Sequence, residues 1–417
     1  MTKLGQGEAS HRWPSLSPSG RVVVYTTSNS TGPGLEEPRI VAQSLDSGKR
    51  EVLPLEATFA WFAPGGDHLL VVQGGAVNAV AFDLAQLKIV GTPVPLLEGV
   101  MQSSSGAAQI GSSSSTLAYL AGGLESRRLV WVDRQGQVEP LDAPPRLYVH
   151  PRLSPDGEEV AVVVTEPKND IWIYDIVRGG GALRRLTVEG SGNAYPIWTR
   201  DGRKITYVSS QGGHPPNLFW INADGTGKPE RLVTSPNIQV SETWAPDGKT
   251  LLFVELRQAT TKWDILALSP GGAPREILAT PFQDTTPQIS PSGRYLAHGS
   301  SESGKYQLQV HSFPDPVEKV VVGEGAQAGW RADERELYFR EGDAMMAATV
   351  TTKPRLSIGK PRVLFRGAFA DIQGKNYDVT PDGKRFLMVR TDLPVPPKEI
   401  TVVLNWIEEL KSRLPSK

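Results

Sequence analysis

The residues able to do chemistry in this sequence are few and scattered. The six histidines are His11, His68, His150, His214, His298 and His311, and no two stand at a spacing of two or four that would aim both rings at one metal. A metal site would need a repeated fold to bring distant histidines together, and His11 and His150 are the pair best placed to face one mouth. With no cysteine in 417 residues, thiolate zinc sites, disulfides and cysteine nucleophiles are excluded, and the redox compartment stays open. A serine-hydrolase elbow needs GxSxG, and Gly299-Ser300-Ser301-Glu302-Ser303-Gly304 misses it by one residue. Gly225-Thr226-Gly227-Lys228 joins two strands rather than a strand and a helix, so it reads as a turn and not a phosphate loop. The acidic pairs Glu36-Glu37 and Glu158-Glu159 fall in turns or loops, where solvated surface is the expectation. No catalytic constellation emerges, so we expect a non-enzymatic protein with no metal and no cofactor.

The composition narrows the partners. Lys and Arg total 44 against 45 Asp and Glu, a net charge of −1, which excludes a bulk electrostatic footprint for nucleic acid or an anionic membrane. The 42 glycines and 34 prolines make the chain dense in turns, while 39% hydrophobic residues and 10 tryptophans argue for packed structure over disorder. The most apolar stretch, residues 69–82, is broken by Gln73, Gly74, Gly75 and Asn78, too polar for a membrane span. The first residues carry no signal-peptide core. The chain is therefore expected to be soluble, without membrane insertion or an export signal of its own.

What positions the side chains is a repeat. Its strongest copies read Ser154-Pro155-Asp156-Gly157, Ala245-Pro246-Asp247-Gly248, Ser290-Pro291-Ser292-Gly293 and Thr380-Pro381-Asp382-Gly383. Variants start at Ser17, Ala63 and Thr199, and degenerate copies at Ser112 and Arg331, giving nine. They recur about every 45 residues, the period of a four-stranded propeller blade. Ser or Thr, Pro, Asp, Gly is the chemistry of a tight turn between a first and a second strand. Apolar second strands follow, such as Val160-Ala161-Val162-Val163-Val164, then third strands such as Ile171-Trp172-Ile173-Tyr174, then polar outer strands such as Leu183-Arg184-Arg185. Trp198, Trp244 and Trp330 stand just before turns, and Trp131, Trp172, Trp220, Trp263 and Trp406 on third strands, which marks an aromatic stripe of core. Glu334 and Ser115 replace the turn glycine, so either turn must change type or hold a side chain at positive φ.

The expected fold is an all-β propeller of four-stranded antiparallel blades. The last blade offers strands at Tyr377-Asp378-Val379, Arg385 to Val389 and Ile400 to Leu404, then a short helix from Trp406, and no fourth strand. Met1 to Leu4 could donate it and close one nine-bladed ring. Alternatively, Gln137 to Leu141 could donate it and close a six-bladed ring over residues 144–417, leaving three blades in 1–143.

The repeat resembles the WD40-like repeat of the TolB type over nearly the whole chain. More narrowly, three stretches resemble the propeller region of bacterial receptor Ser/Thr protein kinases. They are His11-Arg12-Trp13-Pro14, Trp131-Val132-Asp133-Arg134-Gln135-Gly136, and Tyr377 to Met388 followed by Val402-Val403-Leu404-Asn405-Trp406. The resemblance implies a periplasmic or extracytoplasmic setting and about a dozen repeats in two six-bladed rings, of which this chain would enter the first midway. The kinase signatures themselves, an HRD loop, DFG and a VAIK-type lysine, do not occur.

The functional expectation is a module binding a protein or peptide, with a small ligand as the other option, as the sensor or interaction region of a receptor-kinase-like protein. A stand-alone TolB-like envelope scaffold and a propeller-fold lyase or hydrolase are the alternatives. Loops entering first strands share one face with those between second and third strands. Arg12, Tyr148, His150, Tyr195, Glu242, Asp284 and Tyr377 are the candidate partner-binding residues at that mouth.

Overall fold

The computed structural model describes the chain except residues 1, 6–7, 29–37, 56, 104–105, 123–125, 166–167, 180, 191, 213–214, 258–261, 393–398 and 414–417. His214 and the Glu36-Glu37 pair lie outside the described residues. The fold is all-β, with strands throughout and one described helix, Trp406–Arg413. The strands form antiparallel sheets, mostly of four, and all but one run in chain order from inner to outer strand, the arrangement of a β-propeller.

The turn motif works as its chemistry suggests. Ser154 Oγ accepts from Glu159 N at 2.9 Å, its carbonyl accepts from Gly157 N at 2.9 Å, and Gly157 takes φ 77°. Thr380, Asp382 and Gly383 repeat the pattern. Glu334 keeps the geometry without glycine, at φ 59°, and its carboxylate accepts from Ser292 N of the preceding sheet's turn. The second strands within residues 127–391 are buried on both faces because sheets stack on either side of them. Val160 and Val162 belong to one core cluster, Ala161 and Val163 to another.

The chain forms two compact units, residues 1–126 with 392–417, and residues 127–391. In the first unit, Ser10–Leu16, Val22–Ser28, Arg39–Ser44 and Arg50–Val52 form one sheet, and Phe59–Phe62, His68–Gln73, Ala76–Asp83 and Lys88–Leu97 a second. The third contains Ile110–Ser112, Thr116–Tyr119 and, as its outermost strand, Thr401–Leu404. The helix follows, burying Trp406 and Leu410 against Leu70, Val72 and Leu117, and Trp406 Nε1 donates to Ser113 O at 2.9 Å.

The second unit has six sheets. Five run in sequence from inner strands Tyr148–Leu153, Ala194–Trp198, Ile238–Trp244, Asp284–Ile289 and Ala326–Trp330. The sixth takes Tyr377–Val379 and Arg385–Asp392 from the end of the unit and Ser126–Asp133 and Val138–Pro140 from its beginning. Each inner strand packs against the next, and Tyr377–Val379 packs against Tyr148–Leu153. Arg134 clamps this sheet to its predecessor. It donates to both Glu336 carboxylate oxygens at 2.8 Å, to Tyr338 OH at 3.0 Å and to Gly383 O at 3.0 Å. Burial pushes the Glu336 carboxyl up, but the Arg134 and Tyr338 hydrogen bonds outweigh it and hold the group at about 2.

Three sequence expectations change here. The segment Ile400 to Leu404 does not serve as third strand to Arg385–Asp392; Ser126–Asp133 takes that place, and Thr401–Leu404 completes the first unit's third sheet. The compact units accordingly divide at 126/127 and 391/392 rather than at 143/144. The short helix expected from Trp406 is present, so this tryptophan lies on it and not on a third strand. The physical reason is that each segment has the same apolar alternation, so pattern alone does not say which second strand it joins.

Candidate functional site

The inner strands of the second unit are interrupted by bulges. Their registers shift between Val149 and Arg152, Ala194 and Ile197, Ser241 and Thr243, Thr285 and Gln288, and Ala326 and Gly329. At four of these points a non-glycine residue takes positive φ: His150 at 53°, Tyr195 at 53°, Thr286 at 51° and Gln327 at 62°. Pro151, Pro196 and Pro287 follow three of them, at positions where a bulge asks for no ladder N–H. A bulge re-aims its side chain, and here each one reaches the adjacent sheet.

The result is a circle of bonds. Ser241 Oγ donates to Tyr195 O at 2.5 Å, and Gln288 Nε2 to Glu242 O at 3.2 Å. Gln327 N donates to Thr286 Oγ1 at 3.2 Å. Asn376 N donates to Gln327 Oε1 at 3.0 Å, and Tyr377 OH to Gln327 O at 2.7 Å. His150 N donates to Asn376 Oδ1 at 3.4 Å, and the His150 ring stacks on Tyr195 at 4.2 Å. All six sheets are joined.

Residues 371–376 close over this circle. Arg152 donates to Lys375 O at 2.9 Å, and Asn376 Nδ2 to Ile372 O at 2.6 Å and Gly374 O at 3.0 Å. Gly374 sits at φ 88°, so close that a Cβ would lie 2.6 Å from the Tyr195 ring and 3.2 Å from His150 Nε2. His150 Nε2 meets Gln373 O at 2.8 Å; a carbonyl only accepts, so Nε2 carries the hydrogen and Nδ1 is left without a partner.

Beneath lie charges seldom found inside proteins. Arg152, Glu242 and Lys375 are all buried, and Lys375 Nζ stands 3.7 Å from Asp378 Oδ1. Burial pushes the Glu242 carboxyl up to about 8 against the pull of Arg152 and Lys375. Burial drives the Lys375 ammonium down to about 8 against Asp378. His150 falls to about 3, mainly by burial, with the charges of Arg152 and Arg127 adding to it against the Gln373 carbonyl. The arrangement can present hydrogen-bonding groups and charge around one point; among the described residues no group of three His, Cys, Asp or Glu could hold a metal ion.

Of the seven expected residues, His150, Tyr195 and Glu242 line this site, and Tyr377, fully buried, supports it through Gln327. Tyr148 is core, its hydroxyl donating to Pro144 O at 2.6 Å. Asp284 is buried beside Thr280, with Oδ1 3.6 Å from His298 Nδ1. Arg12 belongs to the first unit, its guanidinium 5.9 Å above the Trp13 ring. His11, expected to share a mouth with His150, instead bonds Glu8 and Thr2 in the first unit. Sequence reasoning missed Arg152, Asp378, Lys375 and Asn376. A charge inside an otherwise apolar inner strand was the available signal for the first two; nothing marked the loop.

The first unit offers a contrasting feature. A trough of about 640 Å³ runs along its inner strands, lined by Trp13, Phe59, Trp61 and Ile110, and none of its lining residues is ionisable.

A family model described as the TolB beta propeller domain matches residues 108–339. The uncharacterized peptidase YuxL of Bacillus subtilis (strain 168) is 28% identical over 109 residues, 24% of this chain and 16% of its own length. The Tol-Pal system protein TolB of Francisella tularensis subsp. tularensis (strain WY96-3418) is 26% identical over 158 residues, 37% of this chain and 36% of its own. The matches thus span about a sixth and about a third of these curated relatives. Among solved structures, a protein of Agrobacterium tumefaciens assigned as TolB is similar over 65% of this chain and 100% of its own, at TM-score 0.53 and 16% identity, a likeness of fold.

Proposed function

The chain belongs to the TolB beta propeller domain family, and on that premise we propose that it is a non-enzymatic module holding a protein or peptide partner at the closed inner end of its second unit. We read the six sheets there as one complete ring. The observation that carries the proposal is the circle of five hydrogen-bonded seams and one ring stack joining all six inner strands under residues 371–376. It fixes exposed Gln373 and half-buried Tyr195 on a rigid platform, and rigidity lowers the entropy cost of binding. Scaffold binding in the manner of TolB is the broader form of this reading.

The narrower form, a sensor region of a receptor Ser/Thr kinase, is supported by the three sequence stretches. Their residues, however, serve architecture. Arg134 clamps two sheets, Trp406 anchors the helix, and His11 bonds Glu8. They support a shared framework and do not specify a signal.

A photo-crosslinking side chain at Gln373, in cells that make the protein naturally, tests the site. We expect one discrete protein adduct from position 373 and none from Val177, which is exposed on a turn after a third strand. The partner so identified should bind the Tyr195→Ala protein at least about tenfold more weakly, as for a truncated aromatic anchor. Adducts from Val177 alone, or undiminished binding by Tyr195→Ala, overturn the assignment.

A further inference from the structure

Outer strands of these sheets are guarded. From Arg50 and Glu51 in the first sheet to Arg362 and Arg366 in the sheet built on Ala344–Thr351, which also has the two-residue edge strand Ser357–Ile358, an outer strand carries charge in eight of nine sheets. Charged edges discourage pairing with another chain. The exception is Thr401–Leu404, which holds no charge and no proline. Its sheet stops at three strands, and among the described residues no strand pairs with its outer edge.

The exposed groups of this strand have a definite parity. Asn405 N donates to Ser115 O at 2.7 Å, and antiparallel ladders alternate, so Thr401 and Val403 turn their backbone groups inward while Val402 and Leu404 turn theirs outward. Side chains follow the same alternation. Val403 packs in the core with Leu117, whereas Ile400, Val402 and Leu404 are 65%, 53% and 70% exposed.

We propose that Thr401–Leu404 pairs antiparallel with the same strand of a second copy, about a two-fold axis at Val402. A two-fold axis perpendicular to a sheet keeps each side chain on its own face, so only residues of equal parity can lie opposite. Val402 then meets Val402 of the second copy as a hydrogen-bonded pair, and Ile400 meets Leu404, which gathers the exposed apolar side chains into one cross-strand row. The strand complements itself in both its free backbone groups and its exposed side chains. This favours a second copy over an unrelated peptide. A single strand pair buries less than the roughly 1,200 Å² of a stable complex, so the dimer is weak and depends on concentration.

Sedimentation velocity on the full chain, from about 1 to several hundred micromolar to bracket a weak interface, is the test. The expected result is a monomer that shifts to dimer with concentration. Val402→Lys and Val402→Glu should each remain monomeric, because like charges would face each other on the axis, and their equimolar mixture should dimerise again. Leu404→Lys, at a well-exposed side chain, is a second disruptor should either substitution at Val402 unfold the sheet. A wild-type chain monomeric at the highest concentration overturns the proposal, as does a dimer that these variants leave intact. A mixture that stays monomeric while the wild type dimerises overturns the pairing at Val402.

Discussion

The two units build inner strands from one repeat and finish them differently. In the second unit the bulged residues His150, Tyr195, Thr286 and Gln327 are polar or stacked, and each meets a neighbour. In the first unit the corresponding bulge holds Trp13 at φ 49°, its ring 6.1 Å from Phe59, which is 5.5 Å from Trp61. Six sheets give every inner strand two neighbours, so buried polar groups can be satisfied all the way round. Three sheets cannot do so, and the first unit presents aromatic surface along its inner strands. Polar interiors demand closure, since one unpaired buried group costs about 1–3 kcal/mol.

The sharpest way to break this contrast is to delete residues 393–417. The first unit then loses the outer strand of its third sheet and the Trp406–Leu410 anchor, while the second unit keeps every strand. Hydrogen exchange should show protection lost across residues 10–119 and retained across 127–391. Equal loss in both would erase the distinction between the units.

A smaller effect isolates the second unit. Arg134→Met removes a bidentate partner from Glu336 and should destabilise that unit by roughly 2–3 kcal/mol, with the first unit unmoved; differential scanning calorimetry reads both.

The smallest effects concern pH, and two substitutions should act with opposite sign. Burial holds His298 at about 3 in the folded chain, against 6.5 ordinarily. Its contribution is therefore intact above pH 6.5 and is lost as pH falls toward 3, roughly 2 kcal/mol between pH 7 and 5. Burial raises Glu242 from 4.5 to about 8, so its contribution is complete below 4.5 and is lost as pH rises toward 8, again about 2 kcal/mol or slightly more over the same window. His298→Leu should flatten the acid-side loss of stability and Glu242→Gln should steepen it, measured by urea unfolding at pH 5 and 7. Slopes that move together would show that the buried charges do not titrate independently.

Much of the architecture was legible because the turn chemistry is local. Ser154, Asp156 and Gly157 satisfy one another within six residues, and the strands on either side follow from that. Strand partnership was only partly legible: Gln137 to Leu141 was one of two expected donors to the last sheet, and Val138–Pro140 is its outer strand, but the third strand was not foreseen. Ser126–Asp133 and Thr401–Leu404 are both alternating apolar segments, and only the whole assembly decides which second strand each one joins. The mouth was half legible. His150, Tyr195 and Glu242 follow from their position before the turn motif. Lys375 and Asn376 arrive on a loop with no periodic signal, and Tyr148 and Asp284 share the right offset yet point into packed surroundings.

The exchange of strands also sets an order of events during synthesis. Residues 126–140 emerge early but wait for residues 377–392 before their sheet can form. The third sheet of the first unit waits longer still, because Thr401–Leu404 and the helix follow every strand of the second unit in the chain. On the ribosome, therefore, residues 1–126 cannot complete their own unit until every segment of residues 127–391 has been made, which departs from simple N-to-C progression of domain folding.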